Sequence, residues 1–229
     1  MKVFAISDLH LSISSNKPMD KFGPQWEGYW EKIVDDWISK VSEEDVVVIA
    51  GDISWAMNMK DALDDFNEIA KLPGKKIILK GNHDYWWSSI AKLKNNLPKD
   101  FYIVQNNCVR IENCLFCGSR LWTISNNLSE DDKKILDREY LRLKMSLDQM
   151  KKERKEGDRV IGVTHFPPFD VLDQDKRFID LFSEYKVDNV VYGHLHGKDC
   201  RATLVRNING SKYYLTSCDQ ISNKLVKIL

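Results

Sequence analysis

The chain has no excess of charge of either sign: lysine plus arginine and aspartate plus glutamate each number 34 in 229 residues. Without a basic excess there is no long footprint for nucleic acid, which argues against extended binding along DNA or RNA. No apolar run approaches the roughly 18 residues that a membrane-crossing helix needs, and no membrane role is expected. The opening MKVFAISDLH passes directly into a strand-length apolar run, so no secretory h-region is expected either. Cysteine is sparse and irregular. The five, Cys108, Cys114, Cys117, Cys200 and Cys218, form no spaced framework and read as reduced thiols in a cytoplasmic setting. Cys114-x-x-Cys117 lacks the second pair a zinc knuckle would need, and NCLFCGS reads as a short strand that turns the two to opposite faces, in a structural role. Repeats, low-complexity tracts and linkers rich in Pro, Gly or Ser are also missing, so one domain over 1–229 is expected.

What the chain does contain is a recurring unit of apolar run, polar loop and helix. KVFAIS leads to DLHLS, DVVVIA to GDISW, KKIILK to GNHD, RVIGVT to HFPPF and VDNVVY to GHLHG. Short runs rich in Val and Ile, bounded by Gly and Pro, are the pattern of strands buried on both faces. Helices are expected at about 26–40, 59–71, 87–95 and 129–155. The last opens on Ser129 with Asp132 three residues on, a variant capping box, and carries Leu136, Tyr140, Leu143, Leu147 and Met150 as one buried stripe. Stretches 101–123 and 203–217 alternate more and hold Asn-Asn, Glu-Asn and Asn-Gly turn signals, so both read as antiparallel hairpins. The expected fold class is α/β, a four-layer sandwich of two packed mixed β-sheets flanked by helices.

Residues able to do chemistry gather in the loops after the apolar runs, where open α/β sheets collect ligands. These loops carry Asp8 and His10, Asp52, Asn82-His83-Asp84, His165, and His194 with His196. Together they hold every one of the chain's 5 histidines, a distribution that random surface or core placement would not produce. Carboxylates, imidazoles and one amide oxygen, without thiolate, suit Mn²⁺, Fe²⁺, Zn²⁺, Co²⁺ or Ni²⁺ and are too rich in imidazole for a Ca²⁺ cage. They also exceed what one tetrahedral ion uses, so two divalent ions sharing a carboxylate are expected at the strand C-terminal ends.

The order DLH, GD, GNHD, a lone His and GHLH, from Asp8 to His196, resembles the calcineurin-like metallophosphoesterase superfamily. The resemblance implies a sandwich of two mixed sheets with a dinuclear metal site. Asp8, His10 and His196 would hold the first ion, Asp52 would bridge, and Asn82, His165 and His194 would complete the second. It further implies His83 as general acid, with Asp84 orienting its imidazole. The chain reads GDISWAM and GNHD where protein Ser/Thr phosphatases of the superfamily carry an early arginine and GNHE, so a small phosphoester substrate is expected rather than a phosphoprotein. A nuclease on the same metals, and a non-catalytic scaffold such as a retromer subunit, stay open as alternatives. Nothing in the chain sets an oligomeric state.

Arg120 in CGSRLW is a candidate phosphate contact, or equally a structural partner. Of the 7 tryptophans, Trp30 and Trp37 sit at stripe spacing and read as packing, while Trp26 falls in a Pro/Gly-bearing stretch that reads as a mobile rim. Trp55 and Trp86 each follow a ligand motif closely and are candidates for the mouth of the site, stacking on a flat substrate group, or for simple packing. Tyr85 and Trp87 read as packing. Gly81 reads as the residue that permits a tight exit from its strand.

Overall fold

The protein is described as a computed structural model, covering residues 1–14, 17–125, 127–170 and 174–229. Among the described residues, eleven strands form two sheets. In chain order they are β1 (Val3–Ile6), β2 (Val46–Ile49), β3 (Lys75–Leu79), β4 (Phe101–Val104), β5 (Cys108–Ile111), β6 (Cys114–Gly118), β7 (Arg159–Val163), β8 (Asn189–Tyr192), β9 (Val205–Ile208), β10 (Ser211–Leu215) and β11 (Val226–Lys227). The first sheet has the order β11-β1-β2-β3-β4 and the second β5-β6-β7-β8-β10-β9. Neighbours from β1 to β4 run parallel, as do β6, β7, β8 and β10; β11, β5 and β9 pair antiparallel at or near the edges. Both sheets are therefore mixed.

Alternation along the strands builds three apolar layers. Val3, Ala5, Val46, Val48 and Ile77 of the first sheet meet Phe116, Ile161, Val163 and Val191 of the second in the layer between the sheets. The opposite faces of β1 to β3 present Phe4, Ile6, Val47, Ile49 and Ile78 to Ile33, Trp37, Phe66 and Ile69. Those partners come from α1 (Tyr29–Lys40) and α2 (Met59–Ala70), with α3 (Ile90–Asn96) adding Leu93. Beyond the second sheet, Leu115, Val160 and Val190 pack on Leu143, Leu147, Phe178 and Phe182 of α4 (Glu130–Glu153) and α5 (Arg177–Glu184). This is the four-layer sandwich with helices outside.

The local reasons match the sequence in most places. Ser129 caps α4, its hydroxyl accepting from Asp132 N at 3.1 Å and donating to the Asp132 carboxylate at 2.6 Å. Leu136, Leu143, Leu147 and Met150 are buried on that helix, and Tyr140 is partly buried beside them. Cys114 joins the layer between the sheets while Cys117 joins the outer layer, as strand alternation requires, and neither is in a disulfide. Trp37 is fully buried and its Nε1 donates to Pro73 O at 2.9 Å.

Two assignments differ. Stretch 101–123 is not one hairpin: Phe101–Val104 is a parallel edge strand of the first sheet, and only Cys108–Gly118 forms a hairpin, in the second. A FYIV run looks alike in either pairing, so the chain's crossing between sheets at 105–107 left no signal in composition. The short α5 was not expected either; at 8 residues it holds little more than two turns of periodic pattern. The 203–217 hairpin is present as β9 and β10. Among the described residues, no helix is long and apolar enough to cross a membrane.

Candidate metal centre

Every expected ligand lies just past the carboxyl end of a parallel strand. Asp8 and His10 follow β1, Asp52 follows β2, Asn82 follows β3, His165 follows β7, and His194 and His196 follow β8. The first three strands belong to one sheet and the last two to the other, so the ligands converge across the seam of the sandwich. Backbone bonds tie the loops together. Asp8 N donates to Gly51 O at 3.0 Å, His10 N to Asp52 O at 3.0 Å, and Gly193 N to His165 O at 3.0 Å.

The backbone at this seam is unusual. Asp8, His10, Asp52 and His194 all have positive φ, at 56°, 47°, 51° and 69°. Left-handed backbone is disfavoured for residues with a Cβ, and it is concentrated here on four of the seven expected ligands. Close approach explains the neighbouring glycines. A Cβ at Gly81 would lie 2.0 Å from Asp52 Oδ1, and one at Gly193 would lie 2.5 Å from Asp8 Oδ2. Gly81 is thus required for space; it is not among the positive-φ glycines, so its freedom to turn is not what the position uses.

Two clusters emerge in which ligand atoms lie within 4.8 Å of one another: Asp8, His10 and His196, and Asp8, Asp52 and His165. The Asp52 Oδ2 atom lies 3.7 Å from His10 Nε2 of the first cluster and 3.4 Å from His165 Nε2 of its own. Asn82 Oδ1 lies 2.8 Å from His165 Nε2 and 3.0 Å from His194 Nδ1. His165 Nδ1 is 2.9 Å from Ala50 O, a carbonyl that only accepts, so Nδ1 carries a proton and Nε2 is left facing Asn82 Oδ1.

That arrangement fits cations. Both nitrogens of His10 and the Oδ2 atom of Asp52 are buried with no hydrogen-bond partner among the described residues. Buried polar atoms without partners are strongly disfavoured, and a divalent ion beside His10 and Asp52 would satisfy them. The electrostatics agree in direction. Burial, followed by repulsion from neighbouring imidazoles, lowers His10 and His194 to about 4, which keeps both rings neutral and able to ligate. Burial works against ionisation of Asp52, yet His165 outweighs it and holds the carboxylate well below its usual range. Burial likewise opposes charge on His165, and Asp52 reverses that and raises it.

Asp84 departs from its expected place. Its carboxylate does not orient His83, whose Nδ1 has no partner among the described residues. Instead it accepts from Gly81 N at 2.7 Å, Asp52 N and Ile53 N at 2.9 Å, Trp86 Nε1 at 3.1 Å and Ser54 N at 3.3 Å. Burial and then the Asp52 charge raise its pKa, and these N–H bonds pull it back. Asp84 is a buried clamp holding the Asp52 loop to the Asn82 loop. His83 is half-buried; its N–H donates to Asp52 Oδ1 at 2.8 Å and its ring lies 5.7 Å from His10.

The aromatic residues rearrange in the same way. Trp86, expected near the mouth, is 3% exposed, packed edge-on against Phe66 and tied to Asp84. Tyr85, expected to pack, is 56% exposed. Trp26 is no mobile rim: it is buried, its ring edge-on to His10 and His196 at 6.2 and 6.1 Å. Trp87 is buried and bonds Gln105 at 3.0 Å. Trp55 does reach the site, stacked on His10 and 4.7 Å from the His83 ring. Arg120 is half-buried with its guanidinium 4.6 Å over Trp122, and burial lowers its pKa.

Sequence reasoning missed the supports on the C-terminal side. Gly197 N donates to Asp219 Oδ2 at 2.7 Å and Gln220 Nε2 donates to Gly197 O at 3.0 Å, strapping the loop that carries His194 and His196. Cys218 Sγ donates to Asp8 O at 3.1 Å. Cys218, Asp219 and Gln220 stand in no recognisable motif; this side of the centre is built after the last ligand in the chain.

A two-sheet sandwich with histidines, carboxylates and an amide gathered at its strand ends defines a metallohydrolase type of centre. The family model for calcineurin-like phosphoesterases matches residues 1–198, and the chain belongs to that family of hydrolases. Among solved structures, it is similar to the protein TT1561 of Thermus thermophilus, at 14% identity and a TM-score of 0.62, over 98% of this chain and 96% of that one. It is also similar to the phosphopantetheinyl hydrolase of Mycobacterium tuberculosis, at 14% identity and a TM-score of 0.61, over 100% and 95%. A protein of unknown function from Aquifex aeolicus, AQ665, is similar at 16% identity and a TM-score of 0.51, over 99% and 95%. Identities this low speak for the fold alone. Comparison with curated proteins gives no significant match.

Proposed function

We propose that the protein is a dinuclear-metal-dependent phosphodiesterase or phosphatase acting on a small phosphoester. The observation that carries this reading is the gathering of buried, unpartnered polar atoms, His10 Nδ1 and Nε2 and Asp52 Oδ2, next to the meeting of His165 and His194 at Asn82 Oδ1. Asp8, His10 and His196 would hold one divalent ion, Asn82, His165 and His194 would hold the other, and Asp52 would serve both. Such ions would supply charge neutralisation for phosphate oxygens and a water activated at neutral pH. His165 keeps its tautomer through Ala50 O, and Asp84 fixes the spacing of the Asp52 and Asn82 loops. His83, outside both clusters and half-buried at their edge, gives the proton to the departing oxygen. Trp55 holds the rings of His10 and His83 from one side. Arg120 is a candidate phosphate contact.

The test is a turnover panel with Mn²⁺-loaded protein on an aryl phosphodiester, an aryl phosphomonoester, cyclic nucleotides and a single-stranded oligonucleotide. Turnover of the small esters is expected. Two bound ions with no turnover of any substrate would replace this reading with that of a binding scaffold. Salt-sensitive cleavage of the oligonucleotide above the others would replace it with a nuclease.

A further inference from the structure

Beside the metal centre lies a cleft of ≈ 800 Å³ that the chemistry above does not use. It begins at His194 and His196, and Trp122, Ile124, Phe166, Phe169, Leu195 and Ala202 make the apolar part of its wall, with Asp170, Arg201 and Arg206 also on the lining. Sequence places this wall directly against the ligands. Phe166 follows His165, and its ring lies 4.1 Å from that of His194. Leu195 alternates between His194 and His196. Trp122 packs on Phe166 at 5.1 Å and Phe169 packs on Tyr192 at 5.4 Å, which fixes the aromatic lining. A shallower depression at Asp137, Tyr140 and Arg177 contains no expected ligand, and its arginine is paired with Asp137 and Asp175.

The cleft and the expected acid do not share a wall. Among the described residues, no part of the lining comes from 81–87 or from the Asp52–Trp55 loop, whereas His83 has His10, Trp55 and Tyr85 as its ring neighbours. A group lying in the cleft is therefore attached to a different phosphate oxygen from the one His83 serves. A phosphorus atom with two organic arms is a diester. We infer that the substrate is a phosphodiester whose retained arm is an apolar, aromatic-sized group seated between Phe166, Trp122 and Leu195. This rests on the phosphoesterase reading above. In the reaction a water oxygen bonds to phosphorus and the bond from phosphorus to the departing oxygen breaks. That oxygen takes its proton from His83, and the cleft-bound arm leaves on a phosphomonoester.

The experiment holds the leaving group constant. Para-nitrophenyl phenyl phosphate and para-nitrophenyl methyl phosphate are compared as substrates of the Mn²⁺-loaded protein, and phenylphosphonate and methylphosphonate are compared as ligands by calorimetry. We expect the phenyl compounds to be favoured by about tenfold or more in kcat/KM and in affinity, the scale on which a fitted apolar pocket discriminates. Ala202→Trp and Ile124→Trp, each filling the cleft from a different wall, should cut both ratios to below about threefold. Ratios near unity in the native protein, or ratios unchanged in whichever variant folds, would overturn the inference. So would faster turnover of the monoester para-nitrophenyl phosphate than of the phenyl diester. Should no ester be hydrolysed, the phosphoesterase reading fails, while the phosphonate affinities still decide whether the cleft selects an aromatic arm.

Discussion

Trp55 stacks on His10 with ring centroids 4.6 Å apart and an interplanar angle of 21°. His10 has no hydrogen bond from either nitrogen among the described residues, so aromatic contacts rather than a polar partner set its orientation. Trp55→Ala removes the stack and also the tilted contact to His83. We expect metal affinity to fall by about tenfold, the lower end of what loss of an orienting neighbour does. Trp55→Phe, which keeps a flat face, should recover most of it. Competition with a chromophoric chelator measures both.

Asp84→Asn turns an acceptor-only group into one that presents an amide N–H₂ to backbone N–H donors. Its five donors are buried with it, and a buried donor left unmatched costs about 1–3 kcal/mol. The expected loss is about 3 kcal/mol or more in urea unfolding of metal-free protein. A loss of activity with unchanged stability would instead favour a role in orienting the acid.

His83→Asn should leave two ions bound, because His83 lies outside both clusters. Activity on esters with poor leaving groups should drop by about 10²–10⁴-fold, with a smaller drop where the leaving oxygen needs no proton. Metal analysis beside a leaving-group series checks this, and loss of an ion would make His83 a ligand.

Arg110 joins β5 to the end of α4 and the start of β7. Its guanidinium donates to both Asp158 oxygens, at 2.7 and 3.0 Å, and to Glu153 O. The Arg110 hydrogen bond comes first among the causes that hold Asp158 down at about 2. A carboxyl depressed on folding contributes stability above its unfolded value of about 4, and the contribution is lost as pH falls toward the folded value. The gap in urea midpoint between native protein and Asp158→Asn should therefore be constant above about pH 5 and close between about pH 4 and pH 2. A gap independent of pH would remove the ion pair from the explanation.

Much of the centre was legible because its residues are polar interruptions of apolar runs. Asp8, Asp52, Asn82, His165 and His194 each stand within three residues of a strand end, and the run of Val and Ile before each names that end. Asp84 was misread because its partners are backbone N–H groups, which every residue but proline carries and no sequence advertises. Trp86 and Tyr85 exchanged places for a related reason. The indole that bonds Asp84 must follow it inward, and only the loop's path decides which of two adjacent aromatics that is. β4 was read as part of an antiparallel hairpin because a FYIV segment satisfies a parallel or an antiparallel neighbour equally. The strap from Asp219 and Gln220 depends on a return of the chain from over twenty residues away.

The left-handed backbone at Asp8, His10, Asp52 and His194 also limits how such a chain can age. If selection for the chemistry were relaxed, these positions would not drift freely, because valine or isoleucine there would meet a steric penalty in a fold that still needed its loops. Glycine and asparagine enter such backbone most easily. A descendant that had lost its ions would therefore keep the outline of the centre, written in Gly and Asn.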